Sequence, residues 1–138
     1  MRVFLAGVMQ GSRQDEGIAA QSYRDEIAQV FRAHLPGVEI VDPNQLHPDG
    51  VNYDRVRAKR TLIEMAELAG AVDCLVAYVP EASMGTAVEM WHAHQAGIPV
   101  YTISPMEHNW IVFSLSDRVF PDLASFAEFV ASGGIGPL

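Results

Sequence analysis

The chain has 138 residues, enough for one domain with a real core, and nine basic against seventeen acidic side chains leave a net charge of -8. That balance excludes general affinity for nucleic-acid polymers or anionic membranes, whose phosphates would be repelled, but not a small phosphorylated ligand held by local dipoles. The single Cys74 permits no intramolecular disulfide, no stretch approaches membrane-spanning length and the first apolar run is too short for a signal peptide, so a soluble, cytoplasmic protein is expected.

In chain order, residues 3–6 read as a first strand and residues 7–17 as a glycine-punctuated loop. A helix follows over residues 20–34, with Tyr23, Ile27, Val30 and Phe31 on one face, and Pro36-Gly37 ends it. Residues 38–41 form the second strand. Residues 42–53 are a long polar loop rich in turn formers, and loops of that length in compact domains tend to be functional. A second helix spans residues 54–69, with Val56, Leu62, Ile63, Ala66 and Leu68 as its apolar positions. Its early Arg55, Arg57, Lys59 and Arg60 are expected to face solvent.

The almost uncharged run of residues 74–79 suits a strand covered on both faces, stopped by Pro80. The cap-type residues Ser83 and Thr86 open a helix whose apolar positions are Val88, Trp91 and Ala96, and Gly97 closes it. Residues 98–103 return as a strand and residues 104–110 leave as a loop. Residues 119–120 make a brief last strand, and a helix begins at Pro121-Asp122 and runs to Val130. The alternation predicts an α/β domain over residues 1–131, with residues 132–138 as a frayed tail. Its architecture is a flavodoxin-like three-layer sandwich, a five-stranded parallel sheet in the order 2-1-3-4-5 with helices on both faces.

This topology brings the loops after strands one to four to one end of the sheet, where such folds keep their ligands. The first loop has Gly7 and Gly11 but neither the dinucleotide-binding glycine pattern nor a phosphate loop with Gly-Lys-Ser/Thr. Val79-Pro80 replaces the aspartate of a phospho-receiver, and no serine-hydrolase elbow is present. Glu89 and His92 match half of a carboxylate-bridged metal set, but no further ligands are evident, so neither a metal nor a cofactor is expected. Glu89 itself lies about one turn into a helix, where the dipole favours an ionised carboxylate fit for nucleophilic or base work. The competing reading is a capping box, with Thr86 at the cap and Glu89 merely tying back to the backbone.

Taken together, residues 3–7, residues 71–77 and Ser83-Met-Gly-Thr-Ala-Val-Glu89 with Gly97-Ile-Pro-Val100 resemble the nucleoside 2-deoxyribosyltransferase superfamily, which includes nucleoside 5′-monophosphate N-glycosidases. The resemblance covers nearly the whole domain in order, and the block from Ser83 to Val100 is its specific part. It implies an enzyme that cleaves the N-glycosidic bond of a small nucleoside or nucleotide, with Glu89 attacking the anomeric carbon and forming a glycosyl ester. Gly85 would let the backbone approach the substrate, with Met84 beside it. Ser83 stands where transferases carry an acidic residue and the hydrolases a phosphate-holding serine, and Phe4 replaces the transferases' tyrosine, so hydrolysis is favoured over transfer.

The resemblance further implies a phosphate segment from Gly7 through Gln10, Gly11 and Ser12 to Arg13, although Val8 and Gln10 stand where serine and arginine are usual. The acid that serves the leaving base is an aspartate in the family; Met65 occupies its position here, with Glu64 beside it as the candidate. His47, in the loop after the second strand, reads a base edge or simply caps a turn. A homodimer or higher oligomer is implied, with Asn109 and Trp110 near a shared site as interface or base-stacking groups, ordinary core being the alternative for Trp110. The rival readings are a 2-deoxyribosyltransferase, a non-catalytic nucleotide sensor on the same fold, and a hydrolase of a modified nucleotide or other ribosylated metabolite.

Overall fold

The computed structural model describes residues 1–9 and 20–136. Five parallel strands, β1 (Arg2–Gly7), β2 (Glu39–Val41), β3 (Cys74–Tyr78), β4 (Val100–Ile103) and β5 (Arg118–Phe120), form one sheet in the order β2-β1-β3-β4-β5, as expected. The register pairs Phe4 with both Val41 and Leu75, and Val76 with Tyr101. Among the described residues six helices connect and cover the strands: α1 (Ser22–His34), α2 (Pro43–Leu46), α3 (Arg55–Ala69), α4 (Met84–Gln95), α5 (Trp110–Leu115) and α6 (Leu123–Ala131).

Successive side chains of a strand point to opposite faces, and the central strands are apolar at nearly every position because both faces are covered. Phe4, Ala6, Leu75 and Ala77 therefore enter one core with Met65 and Ala69 of α3 and Met90 and Ala93 of α4. Val3, Leu5, Cys74 and Val76 enter the other with Ile27 and Phe31 of α1 and Phe126 and Val130 of α6. Cys74 is a buried free thiol. Pairing β1 and β3 at the centre of the sheet puts Gly7 opposite Tyr78, at the end from which the loops depart.

Several local expectations are corrected. The loop after β2 is not irregular throughout: Asp42 caps the single turn of α2 by accepting from the Asn44 N–H, and residues 50–52 form a 3₁₀ turn. Val56, Leu62 and Ile63 of α3 are exposed, because the helix packs through Met65, Ala66 and Ala69 instead. The buried face of α4 consists of Thr86, Glu89, Met90 and Ala93, so Val88 and Trp91 point outward. Residues 110–115, read as lying beyond a loop, form α5, capped by Asn109. The tail is not frayed up to Gly136: Ile135 is buried against the α1–α6 core, and the Gly134 N–H donates to the Phe129 carbonyl. Among the described residues no helix is long and apolar enough to cross a membrane.

Candidate functional site

The loops after β1, β2 and β3 meet α3 and α4 around a cavity of about 270 Å³. Its floor begins at β1, where Gly7 lies against the Tyr23 phenol so closely that any Cβ would collide with the ring. Tyr23 cannot swing away freely, since its hydroxyl donates to the Val8 carbonyl at 3.0 Å and its ring stacks on Tyr78 at a centroid distance of 4.2 Å. Burial pushes its phenol up to about 12.

Beside it, Arg24 is only 3% exposed. Its Nη1 donates to Asp42 Oδ1 at 2.8 Å and to the Leu5 carbonyl at 3.1 Å, and its Nη2 donates to the Gly7 carbonyl at 3.2 Å. Its Nε donates to Gln21 at 2.6 Å. The guanidinium thus binds the ends of β1 and β2 together, and buried charges of this kind are tolerated only when paired and hydrogen-bonded. Arg24 lines the cavity but is absent from the residues marked by the sequence reading. The signal was available: Arg24, Ile27, Ala28 and Phe31 share one buried helical stripe, in which a lone charge demands a partner.

Glu89 enters from α4. Ser83 is the N-cap of that helix, accepting from the Thr86 N–H at 3.3 Å, while its hydroxyl donates to Thr86 Oγ1 at 2.8 Å. Glu89 is therefore three positions too deep for a capping box, which removes the capping alternative. It is 9% exposed, borders the cavity, and has no hydrogen-bond or ion-pair partner among the described residues. The expectation that the helix end keeps it ionised is also corrected: burial pushes its carboxyl up to about 8, with the nearby Arg24 pulling the other way.

Of the other expected residues, Gly7, His47, Ser83, Met84 and Gly85 border the same cavity. Gln10, Gly11, Ser12 and Arg13 lie outside the described residues. Glu64 does not reach the cavity; α3 turns the neighbouring buried Met65 into it and leaves Glu64 exposed. Asn109 caps α5 by accepting from the Ile111 and Val112 N–H groups, and borders a second cavity of about 190 Å³ on the other side of Ser83 and Met84. Trp110 is 81% exposed and lines neither cavity, which removes the reading of it as core. Tyr53 and Thr61 line the main cavity as well and were not anticipated. Among the described residues no group of three His, Cys, Asp or Glu side chains could hold a metal, and His92 faces solvent rather than joining Glu89.

No protein-family model and no curated protein matches the sequence. Solved structures do match the fold. A 2-deoxyribosyltransferase of Bacillus psychrosaccharolyticus superposes with a TM-score of 0.67 at 17% identity, over 92% of this chain and 90% of that one. A conserved protein from Enterococcus faecalis V583 gives 0.58 at 15% identity, over 96% and 98%. The CMP N-glycosidase of Clostridium botulinum gives 0.52 at 15% identity, over 93% and 95%. The chain thus shares its fold with a 2-deoxyribosyltransferase and a CMP N-glycosidase.

Proposed function

We propose that this protein is an enzyme that hydrolyses the N-glycosidic bond of a nucleoside or nucleoside 5′-monophosphate, with Glu89 as nucleophile. The observation that carries the reading is a buried carboxyl group with no hydrogen-bond or ion-pair partner among the described residues, facing a cavity at the carboxyl ends of parallel strands. The chemistry suits a carboxylate: as the base departs, positive charge develops on the sugar, Glu89 stabilises it and closes a glycosyl ester, and water then opens the ester. Likeness of fold to a 2-deoxyribosyltransferase and a CMP N-glycosidase supports the reaction class. Ser83, engaged with Thr86, offers no acidic group to the cavity there, and Phe4 is fully buried where a tyrosine would serve transfer; both favour water as the acceptor.

The same reading includes a homodimer in the cytoplasm. Met84, Val88 and Trp91 of α4 and Trp110, Ile111 and Phe113 of α5 are all exposed apolar groups on two helices that touch each other, next to the Ser83 end of the cavity. Patches of this composition support an interface between copies. The test is release of free base from a panel of ribo- and deoxyribonucleosides and their 5′-monophosphates, wild type against Glu89→Gln. The reading requires release from at least one member, lowered at least about a thousandfold in the variant. No release from any member would favour the nucleotide-sensor alternative.

A further inference from the structure

We propose that His47 is the acid that protonates the departing base, a role that rests on the glycosidic reading above. The need for one arises on α3, which offers the apolar Met65 to the cavity and keeps Glu64 outside it. Poor leaving groups such as neutral bases depart faster when a positioned side chain supplies a proton. Of the polar groups that border the cavity among the described residues, Glu89 is engaged as nucleophile, Arg24 is tied to Asp42 and two carbonyls, the Tyr53 hydroxyl is engaged by His47 and Arg57, and the Thr61 hydroxyl is too weakly acidic to serve. The Ser83 and Thr86 hydroxyls bond each other and are too weakly acidic to serve. His47 remains, and it enters from the loop after β2, a different wall from that of Glu89.

Its setting is that of a positioned ring. His47 Nδ1 lies 2.7 Å from the Tyr53 hydroxyl, and the two rings meet edge-on at 5.6 Å and 89°. Tyr53 is fixed from its other side: the Arg57 guanidinium carbon sits 3.8 Å from the ring centroid, and Arg57 Nη2 donates to the phenol oxygen at 3.3 Å. Since Nδ1 is held by the phenol, the nitrogen left to act is Nε2, which has no partner among the described residues. In the first step a Glu89 carboxylate oxygen bonds the anomeric carbon, the carbon–nitrogen bond breaks, and the Nε2 proton of the imidazolium passes to the base nitrogen. In the second, water adds to the anomeric carbon, its proton returns to Nε2, and the Glu89 carboxylate is released. The products are free base and free sugar, and both side chains regain their starting states. Glu89 and His47 touch the reacting atoms; Tyr53 is a positioning residue, and Arg57 fixes Tyr53.

The role is tested with two substrates of the same sugar: the nucleoside or nucleotide that proves active, and its 4-nitrophenyl glycoside, whose phenolate leaves without a proton. His47→Gln should lose about a hundredfold or more in kcat on the natural substrate and less than about threefold on the activated one. Tyr53→Phe should show the same pattern with a smaller loss, and carries the test should His47→Gln fold poorly. Equal losses on both substrates, no loss on either, or a raised KM with kcat intact would overturn the assignment. Wild-type protein inert toward the whole panel and the activated glycoside would instead overturn the glycosidic reading itself.

Discussion

Burial sets the protonation state of Glu89. With its carboxyl pushed up to about 8, only about a tenth of the molecules hold the ionised form at pH 7. With the 4-nitrophenyl glycoside, which needs no acid, kcat/KM should therefore climb as pH rises, pass half its maximum near pH 8 and level off above that. The same shift acts on stability. Between pH 4.5 and about 8 the folded protein holds a proton at Glu89 that the unfolded chain has lost, so stability falls as pH rises through that window. Glu89→Gln removes the effect: the variant should match wild type below pH 4.5 and exceed it by on the order of 5 kcal/mol well above pH 8, read from urea unfolding at each pH. Parallel pH profiles for the two proteins would contradict the burial argument. Arg24 and Asp42 form the complementary case. Arg24→Met should cost about 3 to 5 kcal/mol because Asp42 is left buried and unpaired, and adding Asp42→Asn should restore part of that loss.

At the scale of elements, the site depends on how α4 begins and how β1 ends. Ser83→Ala removes the cap of α4 and should cost about 1 kcal/mol, with a larger loss of activity if the end of that helix touches substrate. Gly7→Ala forces a Cβ into Tyr23, itself pinned by Tyr78 and the Val8 carbonyl, and should cost about 1 to 3 kcal/mol by overpacking; a neutral result would mean that Tyr23 moves more freely than its contacts indicate. The order of the strands was legible because residues 3–6 and 74–79 are apolar at nearly every position, a pattern that only a doubly covered sheet explains. The face of α4 was not legible. A reading that sends apolar side chains inward chose Val88 and Trp91, whereas a site inverts the rule by turning Thr86 and Glu89 in and leaving apolar groups outside. The six residues of α5 carry too short a pattern for periodicity to register, and three of them expose large apolar side chains. Glu89 and Ser83 were marked by the family resemblance and His47 by the length of its loop, and all three border the cavity; Arg24 acts through a partner eighteen residues away, and only the fold brings Asp42 to it.

For the molecule as a whole, the sheet collects the chemistry at one end while α4 and α5 carry an apolar surface beside it. A net charge of -8 keeps copies apart at long range, so the proposed dimer rests on short-range burial of that surface. Trp110→Glu and Trp91→Glu should each shift the sedimenting species from dimer to monomer without unfolding it, since both side chains are exposed in the single chain. A wild-type protein that sediments as a monomer at micromolar concentration would remove the dimer from the account. The central claim is the covalent role of Glu89, and it is reached most directly by quenching the protein with acid during turnover of its active substrate and mapping the peptide masses. The account predicts a sugar or sugar-phosphate adduct on Glu89 that is absent from Glu89→Gln; turnover with no adduct, and with the variant still releasing base at the wild-type rate, would contradict it.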